Sequence, residues 1–223
     1  MIKTKLIFIL ITTFSFSVSK AQVNDAALWT HISIEKNLSS FFSLELNQEF
    51  RLNENISELG TAFTEAGFQY KILNDIRIGA SYRFIQRRRL DNSYSFRHQH
   101  AYFLTLRQEI GKFDFIVREK YQSRYSDINS SDDGKIPEDV LRTRLTIRYD
   151  LVKRYAPFIS AEFYYQLNNP EGNEIEKLRY QAGLNYELNK YHSFSLAYLI
   201  DKEINRNNPW TDYVIDLGYE FTF

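Results

Sequence analysis

Residues 42–52 read FSLELNQEFRL, and nearly every second side chain in this stretch is apolar. One face of an extended chain would carry Phe42, Leu44, Leu46, Phe50 and Leu52, interrupted only by Gln48. The other face would carry Ser43, Glu45, Asn47, Glu49 and Arg51. A strand separates two such sets, whereas a helix would scatter them around its circumference. The stretch therefore predicts a β-strand with one apolar face and one polar face.

The same alternation recurs along the chain and defines eleven segments. They are residues 26–36, 41–52, 59–72, 75–87, 94–108, 113–125, 139–150, 156–167, 176–188, 191–203 and 210–223. Most are longer than the roughly 5–6 residues usual in soluble sheets and long enough for a tilted membrane strand of about 9–11 residues. We therefore predict an all-β fold, a single transmembrane antiparallel up-and-down β-barrel of about 10–12 strands.

The strand count raises a problem of parity, because bacterial single-chain barrels have an even number of strands. Either one segment lies outside the barrel or one strand has been missed.

The connections also alternate between two kinds. The tight ones lie near 37–40, 73–74, 109–112, 151–155 and 189–190, and the longer, polar ones near 53–58, 88–93, 126–138, 168–175 and 204–209. Short turns face the periplasm and long loops face the exterior in such barrels.

The first residues have the pattern of a secretory signal peptide. Lys3 and Lys5 precede an apolar run over 6–16, and Ser19 and Ala21 place small residues before a cleavage site. The run is too short for a membrane-spanning helix. We expect residues 1–21 to be removed and residues 22–223 to form the barrel in the outer membrane of a Gram-negative cell.

The composition of the chain argues against several classes of function. Removing residues 1–21 takes away three of 28 basic residues and none of 28 acidic residues, which leaves a slight negative charge. That balance disfavours a nucleic-acid partner. The chain has no cysteine, which excludes disulfides and thiolate chemistry. With 16 Tyr and 18 Phe, the composition is typical of a barrel whose lipid-facing side chains alternate with polar lumen-facing ones.

Several motifs resemble known sequences. The final residues, Leu217 to Phe223, resemble the terminal signal that barrel-assembly machinery recognises, with Phe221 and Phe223 as its aromatic residues. A strand containing Trp29, the stretch LELNQEFR over 44–51 and the triplet YRF over 82–84 resemble an uncharacterised family, domain of unknown function 2490. This resemblance implies an envelope location. It implies no activity, substrate or catalytic residue.

The polar faces would fill the lumen with charge. The candidate lumen-lining residues are Glu45, Glu49, Arg51, Arg83, Arg97, Arg118, Arg142, Arg144, Arg148, Glu162 and Arg179. In one interpretation these charges pair and plug a narrow barrel, which then has a structural or surface-interaction role. In the alternative, unpaired arginines line a small, porin-like diffusion channel that prefers anionic solutes. An outer-membrane hydrolase is the third hypothesis.

The remaining candidates are an arginine triplet and the histidines. Arg87, Arg88 and Arg89 lie where a strand leaves the membrane and are candidates to contact the phosphates of outer-membrane lipid. His98 and His100 share a face with aromatic residues, so an interface belt is favoured over a metal site. His31 with Glu35, or His192 with Asp201, brings no serine into a catalytic set. We therefore expect no enzymatic activity, no metal and no cofactor.

Overall fold

The computed structural model describes residues 23–125, 137–151, 154–170, 172–206 and 208–223. These residues form eleven β-strands: β1 (Val23–Asn37), β2 (Phe42–Asn53), β3 (Glu58–Leu73), β4 (Ile76–Arg88), β5 (Tyr94–Ile110), β6 (Phe113–Tyr125), β7 (Glu138–Tyr149), β8 (Tyr155–Gln166), β9 (Ile175–Glu187), β10 (His192–Glu203) and β11 (Trp210–Thr222). The eleven predicted segments are thus confirmed as strands. The described part of the chain holds no helix with the length and apolar character needed to cross a membrane. The predicted signal peptide lies outside the described residues.

Each strand pairs with its neighbours in sequence, and the sheet closes on itself into a barrel. All consecutive pairs are antiparallel, but β1 and β11 close the barrel in parallel, from Val23 opposite Trp210 to Glu35 opposite Thr222. Backbone bonds of 2.9 Å from Phe223 to Glu35 and from Asn37 to Phe223 extend this pairing. We call the β1–β11 pair the seam.

The seam resolves the parity problem, and both explanations offered for it are wrong. No segment lies outside the barrel, and a closed sheet has no place for a missed strand. With an odd number of up-and-down strands, the first and last strands run in the same direction. They can therefore close the barrel only through a parallel ladder, whose bonds are slanted but evenly spaced. The expectation of an even count failed because it assumed an antiparallel closure.

The two faces of the sheet differ as the alternation predicts. Outward side chains are apolar and exposed, for example Ile32 at 53% and Leu196 at 54%. Inward side chains are mostly charged or polar. Some inward side chains are apolar, among them Phe63, Ile85 and a cluster against the inside of the seam composed of Ala27, Trp29, Leu199 and Val214. One end of the barrel carries the longer connections 54–57, 89–93, 167–174 and 204–209, and we call it the loop end. The other is the turn end.

Candidate functional site

Three cavities of the barrel interior lie in series. A loop-side cavity of about 1010 Å³ lies beneath the residues 88–91, and a middle cavity of about 440 Å³ follows it. A turn-side cavity of about 260 Å³ lies near Asn74 and Asp75. An eight-stranded barrel is just wide enough to be filled by side chains, whereas sixteen strands leave an open channel. Eleven strands give an intermediate interior that side chains divide but do not fill.

A band of side chains borders both the loop-side and the middle cavity, and we call it the central layer. Its members are Trp29, Arg51, Arg83, Gln99, Arg124 and Lys177. The guanidinium of Arg51 stacks on Trp29 at 3.7 Å, and that of Arg83 stacks on Phe63 at 3.8 Å. Such stacking fixes the planar guanidinium against an aromatic face. The central layer is therefore held in place by contacts across strands.

Among the described acids of the lumen, Glu162 has the most ion-pair partners. Its side chain is 4% exposed and lies 2.8 Å from Arg142, 3.0 Å from Arg144 and 3.8 Å from Arg179. The hydroxyl of Tyr164 also donates to this carboxylate at 3.1 Å. A buried carboxylate is tolerated only when its charge is compensated and its lone pairs are bonded. Glu162 therefore connects strands β7, β8 and β9 through one charge network, which we call the Glu162 network.

Two further carboxylates connect neighbouring strands in the same way. Asp201 lies 2.9 Å from Arg179 and 3.4 Å from Lys177, which joins β9 to β10. Glu65 pairs with Arg83 and accepts a bond from Lys120 at 3.4 Å, which joins β3 to β4 and, past β5, to β6. Charge pairs therefore brace the wall on both sides of the central layer.

Every candidate lumen residue lines at least one cavity. The middle cavity is lined by Glu45, Glu49, Arg51, Arg83, Arg118, Arg142, Arg144, Glu162 and Arg179. Arg97 lines the loop-side cavity, and Arg148 lines the turn-side cavity. Arg87, Arg88 and Arg89 also border the loop-side cavity, and Arg88 pairs with Glu54 at 3.2 Å and Glu58 at 3.3 Å. Their contact with lipid phosphate stays a prediction.

Apart from the exposed Arg89 at the loop end, four arginines of the lumen lack a carboxylate within 4.0 Å among the described residues. Arg87 and Arg97 belong to the loop-side cavity, while Arg77 and Arg118 belong to the turn-side cavity. Among the described residues, the buried Nε of Arg97 has no hydrogen-bond partner, and Arg118 donates only to the hydroxyl of Thr105 at 3.0 Å. Uncompensated guanidiniums attract phosphate and carboxylate groups. Both ends of the lumen therefore carry excess positive charge.

The histidines fall into two environments. His98 lies on the outer surface, with its ring next to Phe84 at 5.4 Å and its Nδ1 at 2.5 Å from the hydroxyl of Tyr82. His100 packs on the same tyrosine at 5.3 Å. His31, by contrast, lines the middle cavity beside Asp216. Within the described ranges, no three His, Asp or Glu side chains converge as metal ligands would.

The contacts that organise the lumen involve residues absent from the candidate lumen-lining set, namely Trp29, Phe63, Tyr164, Asp201 and Asp216. Trp29 and Phe63 are aromatic and were not among the charged candidates for the lumen, yet both lie inside the barrel, stacked on arginine side chains. The alternation of side chains along each strand could have placed them inside. Trp29 is in phase with His31 and Ser33, and Phe63 is in phase with Glu65, so a strict period of two places them inside.

The closed sheet, the apolar exterior and the charged interior define a β-barrel of the outer-membrane type. The chain belongs to the family described as protein of unknown function (DUF2490), whose model matches residues 26–212. This confirms the resemblance seen in the sequence. No curated protein matches the chain.

Two solved structures are similar to it. The β domain of the Bordetella autotransporter BrkA is 12% identical, with 83% of this chain and 85% of that chain covered and a TM-score of 0.46. The translocator domain of autotransporter NalP from Neisseria meningitidis is also 12% identical, with 78% and 71% covered and a TM-score of 0.41.

Proposed function

We propose that the protein is an integral outer-membrane barrel whose lumen is closed by its own side chains, with a structural or surface-interaction role. The observation that carries this proposal is the central layer. It borders the two largest cavities, and its members Arg51 and Arg83 are fixed by stacking on Trp29 and Phe63. Fixed side chains block a lumen more effectively than mobile ones, because no conformational change opens a path.

The outer surface supports membrane insertion. Large apolar side chains cover it on every strand pair, including Leu46 at 48% exposed and Tyr102 at 61%. Monomeric soluble proteins rarely expose continuous apolar patches of this extent. Aromatic pairs near the turn end, Phe113 with Tyr149 at 5.0 Å and Tyr155 with Tyr186 at 4.9 Å, fit an interfacial girdle. Outer-membrane lipid is the partner of this surface.

Export and orientation follow from the same proposal. Residues 1–21 act as a signal peptide, and residues 22–223 reach the outer membrane through barrel-assembly machinery. The turn end faces the periplasm and the loop end faces the exterior, as in other barrels. The loops, rather than the lumen, are then the part available to partners outside the cell.

Membrane insertion is tested by electrophoresis of the refolded mature protein with and without boiling. We expect the unboiled barrel to keep its sheet in detergent and to migrate differently from the boiled chain, because a closed ladder has no edge at which unfolding starts. Sedimentation with liposomes provides a second measurement. A chain that stays folded and monomeric without detergent or lipid would contradict the proposal.

A second prediction concerns the end of the last strand. The ring of Phe221 stacks on that of Phe223 at 5.2 Å, and Lys36 lies 5.0 Å above the Phe223 ring. We expect Phe223→Ser to lower the outer-membrane yield in cells severalfold, because the aromatic signal for assembly is lost. The matched control is Phe41→Ser, an exposed phenylalanine in a turn at the same end. Normal yield of the Phe223 variant would remove the assembly argument.

A second candidate function is passage of small anions. It is favoured by arginines at both ends of the lumen that have no ion-pair partner in the described part of the chain, Arg87 and Arg97 on one side and Arg77 and Arg118 on the other. Basic rings of this kind select anions in pores. In this alternative the central layer would move aside, and a small anionic solute would be the partner.

A further inference from the structure

We propose that Ser195, His31 and Asp216 form a nucleophile–base–acid set in the middle cavity and that this site hydrolyses a small polar carboxylic ester. The inference goes beyond the proposed function, because a barrel closed at its central layer needs no such set. It also revises the expectation that no serine and acid meet a histidine in this chain. All three side chains line the same cavity.

The seam brings the three residues together. Gly218 on β11 lies opposite His31 on β1 and opposite Ser195 on β10, so the serine and histidine flank one glycine across two ladders. A Cβ placed on Gly218 would lie 2.2 Å from His31 Nε2 and 2.2 Å from Ser195 Oγ. The two atoms are therefore separated by at most twice that distance. The glycine supplies the space in which they approach each other.

The other ring nitrogen of His31 faces an acid. Nδ1 of His31 lies 3.3 Å from the Asp216 carboxylate, and Gln181 donates to the other oxygen of that carboxylate at 3.3 Å. An acid at Nδ1 holds the tautomer in which Nε2 is free to accept a proton from a serine hydroxyl. Asp216 thus positions His31, and Gln181 positions Asp216. Catalytic hydrogen bonds that are loose in a free enzyme commonly tighten when substrate binds.

The chemistry is acyl transfer in two balanced steps. Ser195 Oγ attacks the carbonyl carbon of the ester, and its proton passes to Nε2 of His31. The ester C–O bond breaks, and the proton on His31 passes to the departing alkoxide, which leaves as an alcohol. Water then attacks the acyl-serine with His31 again as base, releases a carboxylic acid and restores the hydroxyl of Ser195.

The position of the set defines the class of substrate. The cavity has a volume of about 440 Å³ and extends from Trp29 in the central layer toward Glu45 and Glu220 near the turn end. Most of its lining side chains are polar or charged. A small, water-soluble ester that enters from the turn end fits this volume and lining, whereas the long acyl chains of a lipid do not.

The test uses the full mature barrel in detergent with a fluorophosphonate probe, which forms a bond only with an activated serine. We expect the probe to label the wild-type protein, with mass spectrometry placing the adduct on Ser195. We also expect hydrolysis of p-nitrophenyl acetate above the rate in buffer and detergent alone. Because the adduct is read in the wild-type chain, misfolding of a variant does not affect the result. An unlabelled protein, or an adduct on another serine, would overturn the proposal.

Variants separate the three roles. Ser195→Ala and His31→Gln should each lower labelling and hydrolysis at least tenfold, and Gly218→Ala should do so by pushing His31 and Ser195 apart. Ser33→Ala is the matched control, since Ser33 lines the same cavity on the same strand as His31. Asp216→Asn should lower the rate and displace the midpoint of its pH profile while gel migration stays unchanged. An unaltered pH profile would remove the positioning role of Asp216.

Discussion

A barrel that carries Glu162→Gln should unfold at a markedly lower denaturant concentration than the wild-type protein. Glu162 compensates three guanidiniums at 2.8 Å, 3.0 Å and 3.8 Å and is itself only 4% exposed. Removing one partner of a buried ion pair typically costs about 3–5 kcal/mol, because the remaining charge stays buried without compensation. Asp201 still compensates Arg179, at 2.9 Å, so we expect a loss on the order of 3 kcal/mol.

The measurement is urea unfolding in detergent, followed by loss of heat-modifiable migration. The matched control is Glu54→Gln, because Glu54 also pairs with an arginine, Arg88 at 3.2 Å, but its side chain is 64% exposed. Surface pairs of that kind contribute about 0–1 kcal/mol. Equal stability of the two variants would show that the Glu162 network does not brace the barrel wall.

The second large effect is expected from opening the central layer. The double variant Trp29→Ala, Arg51→Ala removes the stacked pair at 3.7 Å that borders both the loop-side and the middle cavity. Joining these cavities should create a water path and turn a silent barrel into one with resolved conductance steps. The steps should favour anions, because Arg87 and Arg97 then line the widened entrance without an ion-pair partner within the described chain.

The control for this variant is Trp210→Ala, Arg88→Ala. Both of these side chains line the loop-side cavity alone, so their removal widens the entrance without touching the central layer. We expect the control barrel to stay silent. Heat-modifiable migration of the same samples tests whether both variants are folded. A folded but silent Trp29 and Arg51 variant would mean that other side chains close the lumen.

Much of the fold could be predicted because the alternation of apolar and polar residues indicates where each barrel strand lies and which of its faces is inside. The alternation over 42–52 specifies both faces of β2, and the long segments match the strands closely; the segment 113–125 coincides with β6. The alternation does not predict which strands pair to close the sheet into a barrel. Strand pairing between neighbours in sequence is local, whereas the seam joins Val23 to Trp210 across the whole chain. The only sign of the parallel ladder in the sequence was therefore the odd number of predicted strands.

The candidate site likewise has features that the sequence predicts and features that it does not. The inward position of charges such as Arg142 and Glu162 follows from a period of two, so the lining of the lumen could be listed from sequence. The ion-pair partners of these charges could be inferred less well, because in a curved wall one carboxylate lies within reach of side chains from three or more strands. His31 illustrates the limit: residues near it in sequence suggested Glu35, but the seam provides Asp216 from the other end of the chain. Ser195 joins them only because Gly218 leaves space between.

The central claim, that side chains close the lumen of a membrane-inserted barrel, is tested most directly by planar-bilayer recording of the refolded wild-type protein under a salt gradient. We predict a bilayer that contains inserted barrels, detected by protease protection in matching liposomes, and that shows no resolved conductance steps. Steady, anion-selective steps from the wild-type protein would contradict the closed lumen and make the unpaired arginines Arg77, Arg87, Arg97 and Arg118 the residues of a selectivity path.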